Sequence, residues 1–367
     1  MIGDEPIPVT LLTGFLGSGK TTVLNHLVRE PAFADTLVII NEFGEVGLDH
    51  LLVAHSQEMV IELSSGCFCC TIRGDLAKTL RDLPWRFARD GRCQFNRVLI
   101  ESTGLADPAP ILHTLLTASG IANRFRLDGV IATVDGILGH QQLDIHPEAL
   151  KQSAMADRLL VTKVDRVETA AIESLSARLS KINPGAPIFP VQHGQVSPSV
   201  VFGSGLYDPE SKTPDVRRWL AAEHYRPVAS RPSVGRTRTN VIKSSIQQRH
   251  DDSIRSFCVT FDDPISSMGL GTALQMLTSF RGEHILRAKG IINLIGQPLP
   301  CVLHVVQHLI YPTVQLPAWP DDDHRTHLVF IVRDLEEDFV RQTLHNFIEA
   351  SNEALGSGLL MEEAGLS

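Results

Sequence analysis

The sequence predicts a doubly wound α/β domain with a mostly parallel sheet, followed by a smaller α+β domain, and three observations carry that reading. Over the first two hundred residues, short β-branched apolar runs alternate with helical stretches, the order expected of β-α-β units. Most of these runs are continuously apolar, as strands buried on both faces of a parallel sheet must be. Gly14-Phe15-Leu16-Gly17-Ser18-Gly19-Lys20-Thr21 lies between the first run and the first helical stretch, with the full G-x-x-x-x-G-K-T spacing of a phosphate-binding P-loop. At 367 residues the chain also exceeds one ordinary core and suits two domains.

In order, the expected strands of the first domain are 7–12, 36–40, 60–62, 97–101, 129–134, 159–162 and 188–191, and the helices are 21–29, 73–89, 108–118 and 168–181. The predicted boundaries are a nucleotide-binding domain over 1–225, a linker or mobile loop over 226–253, an α+β domain over 254–350 and a frayed tail over 351–367. Residues 196–212 are rich in Ser, Gly and Pro, and Arg226, Arg231, Arg236, Arg238 and Arg249 read as a solvated connection. In the second domain, strands at 256–261, 285–294, 301–307 and 327–332 surround a helix at 270–280, and a last helix covers 336–349.

Composition narrows the class of partner. The formal net charge of −9 offers no bulk attraction to nucleic acid or an anionic membrane. No apolar run reaches the roughly 20 residues that span a bilayer, and the acidic start lacks the basic and apolar regions of a secretion signal. A cytoplasmic protein is expected, with no nucleic-acid or membrane partner and the oligomeric state left open. Three of the six cysteines, Cys67, Cys69 and Cys70, fall within four residues, which in a reducing compartment reads as metal or redox chemistry. Cys258 and Cys301 sit in apolar runs and read as core residues.

Each motif has a chemical reason. Gly14, Gly17 and Gly19 let successive backbone N–H groups, with those of Ser18 and Thr22, turn toward a triphosphate. Lys20 reaches the outer phosphates, and the Thr21 hydroxyl can hold Mg²⁺. Thr162-Lys163-Val164-Asp165 ends a strand: the Asp165 carboxylate can accept two hydrogen bonds from guanine, which adenine cannot offer, while the Lys163 stem packs on the ring. His193, in the loop after the next strand, is placed to close over the base. Glu101 ends the buried run 97–101; it can assist Mg²⁺ through water, and the Gly104 N–H can meet the γ-phosphate. A helix cap is the competing reading for Glu101. In Asn41-Glu42-Phe43-Gly44-Glu45, Glu42 can orient water or bind metal, against the alternative of a solvated acidic turn.

The most unusual stretch is Gly66-Cys67-Phe68-Cys69-Cys70. Thiolates are soft ligands for zinc and related ions, and three local thiols leave a tetrahedral centre open, to be completed by water, Glu42 or another protein. A redox switch and plain core cysteines are the alternatives. His304 and His308 read as solvent-facing sheet residues rather than a metal pair, and Arg287 and Lys289 as positions able to meet an acidic partner.

Taken together, residues 14–22, 41–49, 66–70, 101–108 and 162–165 resemble the CobW family of P-loop GTPases, and residues 256 onward are similar to its C-terminal domain. The resemblance implies GTP binding, slow GTP hydrolysis and metal insertion or homeostasis, with Cys67, Cys69 and Cys70 on the family's metal motif. Two features depart from the family pattern: Thr162 stands where Asn is commoner, and the His-rich tract of many members is missing. The reading is therefore a GTPase metallochaperone that uses GTP and Mg²⁺, carries Zn²⁺ or another divalent transition metal such as Co²⁺, and serves a client metalloprotein. Its alternative is a nucleotide-gated interaction or redox switch whose cysteines carry no metal; an ATP-using kinase is disfavoured by Asp165.

Overall fold

The computed structural model describes residues 6–40, 60–62, 71–89, 92–203 and 253–364. Glu42, Cys67, Cys69, Cys70 and the expected linker arginines lie outside the described residues. The chain divides into two compact units, Met1–Asp215 and Val216–Ser367.

The first unit is built on β1 (Ile7–Gly14), β2 (Thr36–Ile40), β3 (Val60–Glu62), β6 (Arg97–Glu101), β7 (Phe125–Asp135), β8 (Arg158–Thr162) and β9 (Ile188–Pro190), with a two-residue pair β4 (Ala88–Arg89) and β5 (Arg92–Cys93) between them. The seven-stranded sheet has the order β3-β2-β6-β1-β7-β8-β9, and every pairing in it is parallel. Continuous apolar strands are what such a sheet requires, since helices cover both faces. Helix α1 (Lys20–Leu27) lays Val23, Leu24 and Leu27 against Leu12, Leu99, Ile131 and Leu160, all nearly or fully buried. Each buried leucine there contributes roughly 1.5–3 kcal/mol of transfer free energy. Three further helices, α2 (Thr71–Arg86), α3 (Pro108–Thr117) and α6 (Thr169–Ile182), follow the crossover pattern, and the short α7 (Pro198–Val201) comes after the last strand.

Two departures matter for the site. Strand β7 begins at residue 125 rather than 129 and spans an irregularity opposite Val9 and Thr10; there Asp128 turns its carboxylate to the Thr10 hydroxyl at 3.1 Å and the Gly203 N–H at 2.8 Å. Between β7 and β8 stands a helical corner that the sequence pattern did not announce, α4 (Gly139–Ile145) and α5 (Pro147–Met155), joined at His146.

The second unit is an antiparallel sheet of β10 (Ile254–Phe261), β11 (Ile285–Ile292), β12 (Cys301–Val306), β13 (Leu309–Ile310), β14 (Val314–Gln315) and β15 (Thr326–Arg333), in the order β10-β15-β11-β12-β13 with β14 beside β12. Helices α8 (Ser267–Arg281) and α9 (Glu337–Ala364) pack on one face through Leu270, Leu274, Leu277, Val340, Leu344 and Ile348. Gly269 allows their close approach, since a Cβ there would lie 2.8 Å from the Phe347 carbonyl oxygen.

Three expectations for this unit are corrected. Residues 351–364 continue α9 where a frayed tail was expected, and at the start of this stretch the Ser266 N–H donates to Asn352 Oδ1 at 2.9 Å and the Ser266 and Ser351 hydroxyls lie 2.7 Å apart. His304 is buried, not solvent-facing; its Nε2 accepts from Arg287 Nε at 3.0 Å and its ring stacks on Tyr311. Arg287 is buried with it and is not presented to a partner. Among the described residues, no group of three His, Cys, Asp or Glu could hold a metal ion, and no helix is long and apolar enough to cross a membrane.

Candidate nucleotide site

The strand C-termini of a parallel sheet open into loops, and those of β1, β6, β7, β8 and β9 converge here. After β1 the chain turns through Gly14, Gly17 and Gly19, at φ of 143°, 72° and 92°. L-residues pay for such angles, and at Gly14 space forbids a side chain outright: a Cβ would lie 2.2 Å from Thr133 Oγ1 and 2.8 Å from Ser18 Oγ. Lys20 is buried and folds back along the loop, donating to the carbonyl oxygens of Gly14 at 3.0 Å and Phe15 at 3.3 Å. The Ser18 hydroxyl pairs with Thr133 Oγ1 at 2.6 Å, tying the cradle to β7.

Beside it, β6 delivers Glu101, 1% exposed, so that the Thr21 hydroxyl donates to Glu101 Oε1 at 2.9 Å. The helix-cap alternative for Glu101 does not hold, because α3 is capped by Asp107, whose Oδ1 accepts from the Ala109 N–H at 3.0 Å. Two hard oxygen donors side by side at the head of α1 are the kind of donor set that Mg²⁺ takes. The turn after Glu101 presses Gly104 onto the cradle: a Cβ on it would fall 2.7 Å from the Leu16 backbone nitrogen.

At the far end, β8 delivers Thr162, whose hydroxyl donates to the Ser18 carbonyl oxygen at 2.7 Å. One buried side chain thus links the P-loop to the strand that leads into Lys163 and Asp165. Lys163 adopts the left-handed conformation at φ 57° and bonds Asp135 Oδ2 at 2.7 Å. Asp165 lies on an exposed turn with its side chain 19% exposed, and His193 Nδ1 and Arg166 Nε each stand 3.8 Å from Oδ2. Gly194 lets the His193 loop close on α1, since at φ 75° its Cβ would sit 2.6 Å from the Thr22 carbonyl oxygen.

The structure therefore brings Lys20, Thr21, Thr22, Glu101, Gly104, Thr162, Lys163, Asp165 and His193 to one edge of the sheet. Asp135 was missed by sequence reasoning: its buried carboxylate holds Lys163 with one oxygen and accepts the Ile137 and Leu138 N–H groups, at 2.8 and 3.2 Å, with the other. It ends a long apolar strand in an acid, the same signal that marked Glu101. Asn183 anchors the corner from behind, donating to the carbonyl oxygens of Ser153, Ala154 and Ala156.

Residues 8–190 match the family described as CobW/HypB/UreG, nucleotide-binding domain, and residues 254–348 match the cobalamin synthesis protein cobW C-terminal domain. The chain is 33% identical over 337 residues to the zinc chaperone YjiA of Escherichia coli (strain K12), covering 92% of this chain and 97% of that protein. It is 27% identical over 266 residues to the zinc-regulated GTPase metalloprotein activator 1 of Schizosaccharomyces pombe, covering 70% of this chain and 57% of that protein. The crystal structure of Zn(II)-bound YjiA GTPase from E. coli superposes with a TM-score of 0.64 at 29% identity, covering 94% of this chain and 99% of that one. With both domains matched, and with a P-loop, a Thr21–Glu101 pair and the Thr162–Asp165 loop converging on one edge of the sheet, the chain belongs to the CobW family of P-loop GTPases.

Proposed function

We propose that the chain is a GTP-hydrolysing metallochaperone in which nucleotide state governs the binding of a transition metal and its delivery to a client metalloprotein. The observation that carries this reading is the presence, in one chain, of a P-loop with the Thr21–Glu101 pair, a Thr162-Lys163-Val164-Asp165 run, and a Gly66-Cys67-Phe68-Cys69-Cys70 run lying in sequence between Glu42 and Glu101. Zinc is the first candidate for the cargo and cobalt the second. The names of the E. coli and S. pombe relatives support zinc, and thiolates favour it on chemical grounds. A reducing compartment such as the cytoplasm keeps those thiols available.

On this reading the residues take the following roles. Asp165 accepts the N1–H and N2 amino group of guanine, with Lys163 held over the ring by Asp135 and His193 closing the far side. Lys20 and the N–H groups of residues 17–22 stabilise the phosphoryl oxygens. Thr21 and, through water, Glu101 would hold Mg²⁺, which supplies charge neutralisation across the outer phosphates. Gly104 offers its N–H to the γ-phosphate, and Glu42 orients water or completes the metal site. Cys67, Cys69 and Cys70 hold the cargo in an open thiolate site suited to transfer.

The test is a Cys67, Cys69 and Cys70 triple serine variant assayed for zinc binding and zinc-dependent GTP turnover. The reading expects loss of both with basal GDP affinity kept. Retention of both would overturn it and favour the redox or interaction switch.

A further inference from the structure

The helical corner that the sequence pattern did not announce grips both halves of the phosphate site. From α4, the Gln142 side-chain amide lies 3.4 Å from the Leu16 carbonyl oxygen in the P-loop, and at the joint the His146 ring stacks on Phe15 at 4.3 Å between centroids. From α5, the buried Gln152 donates through Nε2 to two carbonyl oxygens of the turn after β6, Gly104 at 3.2 Å and Ala106 at 3.0 Å. Lys151 pairs with Asp107 at 2.6 Å, at the end of the same turn.

We propose that Gln152 is a positioning residue for GTP hydrolysis: by holding the Gly104 and Ala106 carbonyls it fixes the direction in which the Gly104 N–H faces the γ-phosphate. The inference rests on the GTPase reading and on the role given to Gly104. The turn is a single hydrogen-bonded unit, closed by the Ala106 N–H on the Thr103 carbonyl oxygen at 3.1 Å. Its Gly104 has no side chain to anchor it and is wedged against Leu16. The Ser102 hydroxyl holds the Thr103 carbonyl at 3.4 Å, and Gln152 reaches in from α5 to hold those of Gly104 and Ala106. A primary amide suits the task because it offers two N–H groups from one nitrogen to two acceptors; a carboxylate offers none. The consequence is specific to the γ-phosphate: GDP does not reach Gly104, so its affinity is independent of Gln152.

Two variants test the proposal, Gln152→Leu and the isosteric Gln152→Glu, measured for kcat, for GDP affinity and for affinity toward a non-hydrolysable GTP analogue. In both, kcat is expected to fall about ten- to a hundredfold, as for a displaced transition-state donor, with GDP affinity within about twofold of wild type and analogue affinity reduced. In Gln152→Glu, turnover relative to wild type recovers as the pH is lowered, because a protonated carboxyl regains one donor. Wild-type kcat in a folded variant, or equal loss of GDP and analogue binding, overturns the proposal in favour of a packing role. If Gln152→Leu fails to fold, the pH profile of Gln152→Glu decides alone: recovery supports the inference and a profile parallel to wild type refutes it. Absence of GTP turnover in the wild-type chain would instead sink the GTPase reading, so the two failures are distinguishable.

Discussion

Replacing Thr162 with valine removes one buried hydroxyl, which sits 2.7 Å from the Ser18 carbonyl oxygen and 3.3 Å from that of Val134. The side chains are nearly the same shape, so packing is kept, but the hydroxyl that donates to the Ser18 carbonyl oxygen at 2.7 Å is lost. Thr162 is 3% exposed, so water cannot readily replace it. A buried carbonyl left unsatisfied costs about 1–3 kcal/mol, equivalent to about 5- to 150-fold in an equilibrium constant. The cost falls on the backbone of the P-loop at the point where Gly19 turns into α1, so weaker GDP and GTP binding is expected together with a lower melting temperature. Thr162→Asn restores a side-chain donor, so that variant should recover binding that Thr162→Val loses. Calorimetric titration with GDP and a thermal melt provide the readout. Wild-type affinity and melting temperature in Thr162→Val would refute the idea that this hydroxyl couples the phosphate and base ends of the site.

Gly14→Ala should abolish nucleotide binding, because the new Cβ would lie 2.2 Å from Thr133 Oγ1 at a φ of 143°; titration with GDP reports it. Asp165→Asn replaces an acceptor by a donor facing guanine, and about a hundredfold or greater weakening of GTP is expected with little change for ATP, measured by competition. In the second unit, the Arg325 guanidinium forked onto Asp323, with His327 on the same carboxylate, holds the Asp323 carboxyl well below the usual range. Folding lowers this pKa, so its stabilisation is present above roughly pH 4, the unfolded value, and is lost as pH falls toward the folded one. Since the pair is partly exposed, Asp323→Asn should lower the melting temperature at pH 7 by only about 1–3 °C and flatten its decline below about pH 4.

The legible part of the fold was the part governed by period and composition. Strands β2, β3 and β6 could be placed to the residue because each is an apolar run bounded by polar residues, and a parallel sheet demands such runs. The corner of α4 and α5 was not legible: 139–155 is short, mixed in polarity and broken by Pro147, and the burial of Gln142 and Gln152 follows from tertiary bonds that no period encodes. His304 was misplaced for the same reason, since alternation sets its face but does not reveal that Arg287 and Tyr311 enclose it. In the site, the motif residues were readable because their chemistry depends on spacing. Asp135 and Gln152 act by reaching side chains or carbonyls far away in sequence, and only the fold shows those partners.

The central claim is that nucleotide state governs metal binding, and equilibrium dialysis of zinc against the full chain tests it most directly, with Mg²⁺ present and either a non-hydrolysable GTP analogue or GDP. The account predicts one tightly held zinc per chain with the GTP analogue, markedly weaker retention with GDP, and loss of the difference in the triple serine variant of Cys67, Cys69 and Cys70. Equal zinc affinity in the two nucleotide states, unchanged by removal of the three thiols, would contradict it.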